Sequence, residues 1–183
     1  VDADSIETIT GNAKDVKELL DLGALEIILN TITPPAITVS GTISAADAYI
    51  IASDTDAGVV TANVAAGTAE SLKLALVRTI NPLDGNDKLS LTVINNSDGS
   101  ATSAADLVAL DGKTASKIKV DAKALTGTEA NLTAIFVTNK DNFTGLGNKA
   151  VTIETLNADA DKVNAILKAT SGVVTATVAA GDA

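Results

Sequence analysis

Three short stretches carry the side chains best suited to hold a cation. They are DTDAG at 54–58, DGND at 84–87 and NADAD at 157–161. Each sets carboxylate or amide oxygens at alternating positions, a spacing that lets successive oxygens converge on a hard ion such as calcium. Asp84, Asn86 and Asp87 form the tightest group. None of the three supplies the glutamate that closes an EF-hand loop at its twelfth position. Asp and Asn also close turns and cap helices without any ion. Calcium is therefore the one cofactor left open. No residue is assigned as a catalytic group, a cofactor contact or a metal ligand.

Other chemistries are bounded more tightly. The 183 residues include no Cys and no His, which removes disulfides, thiolate nucleophiles, His-containing metal sites and a Ser-His-Asp triad. GLGNKA at 145–150 has the outline of a dinucleotide-binding turn. That turn needs a helix N-terminus after it to hold a pyrophosphate. VTIET follows instead and reads as a strand, so a loop between helix and strand is expected. DGKT at 111–114 ends like a P-loop, but Leu107 stands where the phosphate cradle needs glycine. Paired carboxylates support glycoside hydrolysis in other proteins. Sugar clefts are usually floored by aromatic rings, and here the only aromatics are Tyr49, Phe136 and Phe143. The expectation is a protein that is not an enzyme. NNS, NLT and NFT, starting at Asn95, Asn131 and Asn142, fit the glycan acceptor pattern, as chance allows in a chain rich in Asn and Thr.

The elements that position these residues recur along the chain. VVTANVAAG at 59–67 and VVTATVAAG at 173–181 differ at one position in nine. The match runs backwards without a gap, 47–58 against 161–172. IETITGNAKDVKELL at 6–20 aligns with IETLNADADKVNAIL at 153–167, and looser relatives lie at 103–122 and 126–136. Each unit opens with a short β-branched stretch, at 37–39, 89–93, 118–120 and 151–153, where alternation predicts a strand. A short helix follows, with an apolar stripe such as Val16, Leu19 and Leu20, or Val163, Ile166 and Leu167. Ser44, Thr102, Thr126 and Asn157 stand where an N-cap is expected. Asp47, Asp106, Glu129 and Asp159 or Asp161 follow in the first turn and complement the helix dipole.

The chain passes through this pattern about five or six times, at roughly 22 to 33 residues per step. Alternating strands and helices predict an α/β fold with parallel strands. The expected form is a repeat solenoid of short parallel strands alternating with short helices. The alternative is an open doubly wound sheet. In the repeated phrase, Val60, Ala62 and Val64 are expected inward against outward Thr61 and Asn63, with Val174, Ala176 and Val178 as the equivalent inward set. TPPA at 33–36 forces an extended connector. It divides an N-terminal capping αβ unit, 1–33, from a stacked repeat array, 34–183. The cap holds an amphipathic helix at 12–22 with Lys14, Asp15, Lys17 and Glu18 outward. The array stops after a strand, at GDA, as a truncated or self-stacking rung would.

Composition agrees. Hydrophobic residues reach 46% while aromatics are 2%. Small aliphatics suit thin repeated layers better than a deep irregular core. Thirteen basic and 23 acidic residues leave a net charge of −10, which disfavours nucleic acid and anionic membranes as partners. No signal peptide is legible at Val1, and the longest apolar run, around 25–29, is far too short to span a bilayer.

The stretches SAADAYIIASDTDAGVVTANV, TSAADLVALDGKTASKIKVDAKALTGTEANLTAIF, FTGLGNKAVTIETL and DADKVNAILKATSGVVTATV resemble repeats of giant exported proteins. Such repeats occur in cyanobacterial surface and RTX-type proteins and in structural proteins of cyanophages. The resemblance covers most of the chain from Thr38 onward and, more weakly, 6–29. It implies an extended, non-enzymatic structural or adhesive module, located outside the cell, at its surface or on a virion. The implied partners are neighbouring repeats, further copies of the chain, or a cell-surface glycan or protein receptor. It carries no site residues across. The glycine-rich calcium run of RTX repeats is absent, the nearest string being LDGNDKLSL at 83–91. Two other expectations are a phage fibre or receptor-binding domain, and a carboxylate-based enzyme or carbohydrate-binding domain.

Overall fold

A computed structural model describes residues 6–23, 34–54 and 57–180. The apolar run at 25–29, the rest of the cap from 24 to 33, Thr55 and Asp56 of the first acidic stretch, and the closing GDA lie outside the described residues. The chain divides into two compact units that interleave in sequence. The first takes Val1–Ala65, Leu74–Leu91 and Gly112–Ser116. The second takes Ala66–Lys73, Thr92–Asp111 and Lys117–Ala183.

In the first unit, β1 (Thr8–Gly11), β2 (Ala36–Ile43), β3 (Val60–Val64) and β4 (Lys88–Ser90) form one parallel sheet in the order β1-β2-β3-β4. Helix α1 (Ala13–Gly23) follows β1 and α2 (Ala45–Ala52) follows β2; α3 (Ala69–Leu76), after β3, has Ala69–Lys73 in the second unit and Leu74–Leu76 in the first. The period-2 pattern sets the register. Ile9 lies beside Ile37, Ile37 beside Val60, and Ala62 beside Leu89. Val60, Ala62 and Val64 are buried while Thr61 and Asn63 are exposed, as the alternation predicts. The β2–β3 register shifts between Thr38 and Thr42, around Gly41 at φ +77°. Glycine adopts that left-handed backbone without a Cβ penalty, which suits a bulge.

The second unit continues with β5 (Thr92–Val93), β6 (Thr102–Ser103), α4 (Ala104–Asp111), β7 (Ile118–Val120), β8 (Ala124–Gly127), α5 (Glu129–Thr133), β9 (Phe143–Thr144), β10 (Ala150–Ile153), α6 (Ala160–Ala169) and β11 (Val174–Thr175). Two parallel sheets result, ordered β5-β7-β9 and β6-β8-β10-β11. From β5 to β10 the chain visits them alternately, one short strand in each, and β11 then joins β10 in the same sheet. Neither sheet closes on itself. A π-helical turn, Ala134–Thr138, extends α5, and a 3-10 turn, Lys140–Asn142, leads into β9.

The structure corrects several local expectations. The stretch 89–93 is two strands, not one. Lys88–Ser90 pairs with β3 and Thr92–Val93 pairs with β7, with buried Leu91 between them. Alternation gives a strand's faces but not its partners. Ser44 caps α2 as expected, its Oγ accepting the N–H of Asp47 at 3.0 Å. Thr102 and Thr126 instead lie inside β6 and β8. The cap bonds there come from Ser103 to the N–H of Asp106 and from Thr128 to that of Asn131, both at 3.3 Å. Asn157 takes a left-handed backbone at φ +57°, and Asp159 caps α6 two residues later. In each case the strand or turn runs further than the sequence spacing implies. Val163 and Ile166 are buried, but Leu167 is 46% exposed.

Two devices tie some of the strand entries to the preceding turn. Thr170 donates its hydroxyl to the carbonyl of Lys149 at 2.8 Å and accepts the N–H of Gly172 at 3.1 Å. Thr114 bonds the carbonyl of Leu89 at 2.8 Å and accepts the N–H of Ser116 at 3.0 Å. The second device is glycine. A Cβ on Gly58 would sit 2.5 Å from the carbonyl oxygen of Pro34, and one on Gly172 would overlap the carbonyl of Lys149. Both glycines stand two residues before the inward valine of the repeated phrase. Helices are linked as well, by Lys17–Asp47, by Lys73–Asp106 at 2.6 Å and by Lys162–Glu129 at 2.8 Å.

Candidate functional site

Two of the three acidic stretches meet in the first unit. The loop after α2 and the loop before β4 line an open depression of about 410 Å³. Its walls include Ser53, Asp54, Asn81, Asp84, Asn86 and Asp87. The β4 loop is shaped by Asn81 at φ +48°, Gly85 at φ +83° and the buried anchor Leu83. Lys113 donates to the carbonyl of Leu83 at 3.1 Å.

The carboxylates in this depression have structural partners. Asp84 Oδ1 accepts the N–H of Asn86 at 2.9 Å, and Oδ2 accepts its side-chain amide at 2.9 Å. These bonds hold the Asp84 carboxyl below its ordinary range, helped by the charge of Lys113. Asp87 is 4% exposed. Burial pushes its carboxyl up, the N–H of Val60 partly offsets this, and the charge of Asp84 adds to it. Two carboxyls displaced in opposite directions form the kind of pair from which acid and base roles are drawn. Here one closes its own turn and the other holds β3. Among the described residues, no three Asp or Glu side chains come together as ligands for a metal ion.

The third stretch lies elsewhere. Asp159 Oδ1 accepts the N–H of Asp161 at 2.8 Å and of Lys162 at 3.4 Å, so NADAD is a helix cap. GLGNKA is a turn entering β10, with Gly145 at φ +82°, where a Cβ would lie 2.6 Å from the carbonyl oxygen of Val120. No helix N-terminus follows it to receive a phosphate. In DGKT, Asp111 ends α4 and Thr114 is buried against the carbonyls of Asp87 and Leu89. Asn95 of NNS accepts the N–H of Lys123 at 2.8 Å and is likewise part of the framework.

Sequence reasoning missed a hollow in the second unit. Phe136, Phe143, Leu146 and Ala165 line about 480 Å³ of open space, with Lys140 and Lys168 at its rim. Both phenylalanines of the chain meet there, a convergence that their rarity alone does not reveal. Tyr49, the remaining aromatic, donates to the carbonyl of Ile80 at 2.6 Å and carries the Arg78 guanidinium 4.6 Å above its ring.

No family model, curated protein or solved structure matches this chain. No helix among the described residues is long and apolar enough to cross a membrane.

Proposed function

We propose that this chain is a non-enzymatic structural repeat module of a large exported protein, working as a spacer or adhesive surface on a cell or virion. Its turns stack as a solenoid, and its outward side chains meet the partner, a surface glycan or protein. The observation that carries this reading is the strand order. In all three sheets it follows the order of the chain, with every pair parallel. A doubly wound sheet reverses its order at a switch point, and among the described residues these sheets show none. The threonine bridges and the Lys–acid links between successive helices support the same reading, because each ties one turn to the next.

Antibodies against the purified chain should label intact cells or virions of the source organism. Labelling only after permeabilisation overturns the surface assignment. The stack is tested separately by truncation after Glu154, which removes α6 and β11. Stability in a repeat array sums over neighbouring units, so the remainder should keep its circular dichroism and melt cooperatively. Collapse of the whole chain would overturn the solenoid.

A further inference from the structure

We propose that the surface around Tyr49 and Arg78 docks a partner protein through an apolar segment carrying a single Asp or Glu carboxylate; this rests on the adhesive reading above.

The chain contains one Tyr and one Arg, and they meet. The Arg78 guanidinium lies 4.6 Å from the centroid of the Tyr49 ring. Tyr49 comes from α2 and Arg78 from the loop after α3. Each is held in place by the backbone of that loop or helix. The Tyr49 hydroxyl donates to the carbonyl of Ile80 at 2.6 Å, and Arg78 Nε donates to the carbonyl of Ala75 at 3.0 Å. Tyr and Arg are enriched among the residues that carry most of the energy of an interface, and side chains fixed before contact lose less freedom on binding.

Val77, Thr79 and Ile80 complete an open depression of about 490 Å³ around the pair. Ile80 is 77% exposed. A lone exposed isoleucine is ordinary, but this one borders the stacked pair. A partner that covered it would remove apolar area from water beside the guanidinium.

The charge selects the ligand. The Ala75 bond occupies Nε and leaves the two terminal nitrogens of Arg78, which no carboxylate pairs with among the described residues. They match the two oxygens of one carboxylate. Phosphate motifs are read by clusters of arginine, and this chain has a single one. A run of acids is disfavoured too, because the net charge of −10 repels it. One carboxylate between apolar side chains fits both facts. A sugar would stack on an open aromatic face, whereas here the guanidinium lies over the ring.

Arg78 also follows the end of α3, where a cation complements the helix dipole. Lysine serves that purpose as well, but it lacks the planar fork and stacks poorly. Arg78→Lys therefore separates the helix-end role from docking.

The full chain carries its own reporters. With no Trp and one Tyr, its fluorescence reports Tyr49 alone, and the single arginine side-chain signal in a proton–nitrogen NMR spectrum reports Arg78. Acetyl-Leu-Glu-Leu-amide, titrated through the millimolar range, should move both signals to saturation. Acetyl-Leu-Gln-Leu-amide should move neither. Arg78→Lys and Ile80→Ser should melt like the parent and, read by Tyr49 emission, bind the glutamate peptide at least about tenfold more weakly. No saturable change, an equal response to the glutamine peptide, unchanged binding by Arg78→Lys, or an equal response to inorganic phosphate or alginate overturns the proposal. A failed titration with antibodies still labelling intact cells removes this contact and leaves the surface reading. Peptide binding without such labelling keeps the contact and removes that reading.

Discussion

The buried carboxylate of Asp87 accepts the backbone N–H of Val60 at 2.8 Å. One side chain at the entry to β4 thus holds the first residue of β3. The bond needs an acceptor, not a charge, and burial pushes the carboxyl up. Asp87→Asn keeps an oxygen at the site and should leave stability near that of the parent at neutral pH. Asp87→Ala leaves a buried N–H unpaired and should cost about 1–3 kcal/mol. Urea unfolding at neutral pH measures both. Equal losses in the two variants would mean that the charge itself matters.

Glycine at 58 and 172 is a steric requirement. Gly58→Ala sets a methyl 2.5 Å from the carbonyl oxygen of Pro34 and 2.9 Å from that of Pro35. Backbone must shift, and a cost of about 1–3 kcal/mol is expected. A Cβ on Gly147 meets nothing within 4 Å, so Gly147→Ala should change stability by less than about 0.5 kcal/mol. Melting of Gly58→Ala, Gly172→Ala and Gly147→Ala compares them directly.

These two contacts mark where the sequence stops being legible. The alternation of Val60, Thr61, Ala62, Asn63 and Val64 states which side of β3 is buried. The first-turn acids Asp47, Asp106 and Glu129 mark helix starts to within a few residues. The repeated phrase even aligns Gly58 with Gly172. It does not say that both glycines face a carbonyl of the preceding turn, because that neighbour is set by register across the sheet. The acidic stretches fail for a related reason. Spacing of Asp84, Asn86 and Asp87 allows convergence on an ion, while the backbone sends Asp84 to its own turn and Asp87 to Val60, 27 residues earlier. Val178, expected inward, is 42% exposed, although the repeated phrase aligns it with buried Val64.

Thr170 and Thr114 are predicted to act as hydroxyl bridges, not as packing residues. Thr170→Val keeps the shape but strands the carbonyl of Lys149 and the N–H of Gly172. A loss of about 1–3 kcal/mol is expected from the unsatisfied groups. Thr170→Ser should restore most of it in the same denaturant titration. Retained stability in the valine variant would show that water replaces the hydroxyl.

The carboxyls give stability a definite pH dependence. Lys17 and Ser44 hold the Asp47 carboxyl below its ordinary value, and Lys162 with the N–H of Asp159 does the same for Glu129. Stability from these groups is full above their unfolded values, near 3.8 and 4.5, and is lost as pH falls through the lower folded values. Asp87 acts in the opposite sense. Its folded value is raised, so it favours the folded state at acid pH and that preference disappears as pH rises. Melting temperature measured from pH 6 down to pH 2 should therefore fall (about the window these carboxyls titrate in). Glu129→Gln should flatten the fall, and Asp87→Asn should steepen it. Parallel curves for all three proteins would contradict the assigned partners.

Calcium is predicted to leave the folded chain unmoved. Both oxygens of Asp84 are bonded to Asn86, Asp87 holds Val60, and Asp159 caps α6. A cation would have to displace these bonds, and the turn residues would lose the geometry that makes them turns. An ion bound to the native state alone at a hundred times its Kd would add about 2.7 kcal/mol, a shift of several degrees. Melting with millimolar calcium and again after EDTA should give superimposable curves. A rise that EDTA reverses would require the loops at Asp54 and Asp84 to rearrange around the ion, and would make calcium a structural part of the repeat.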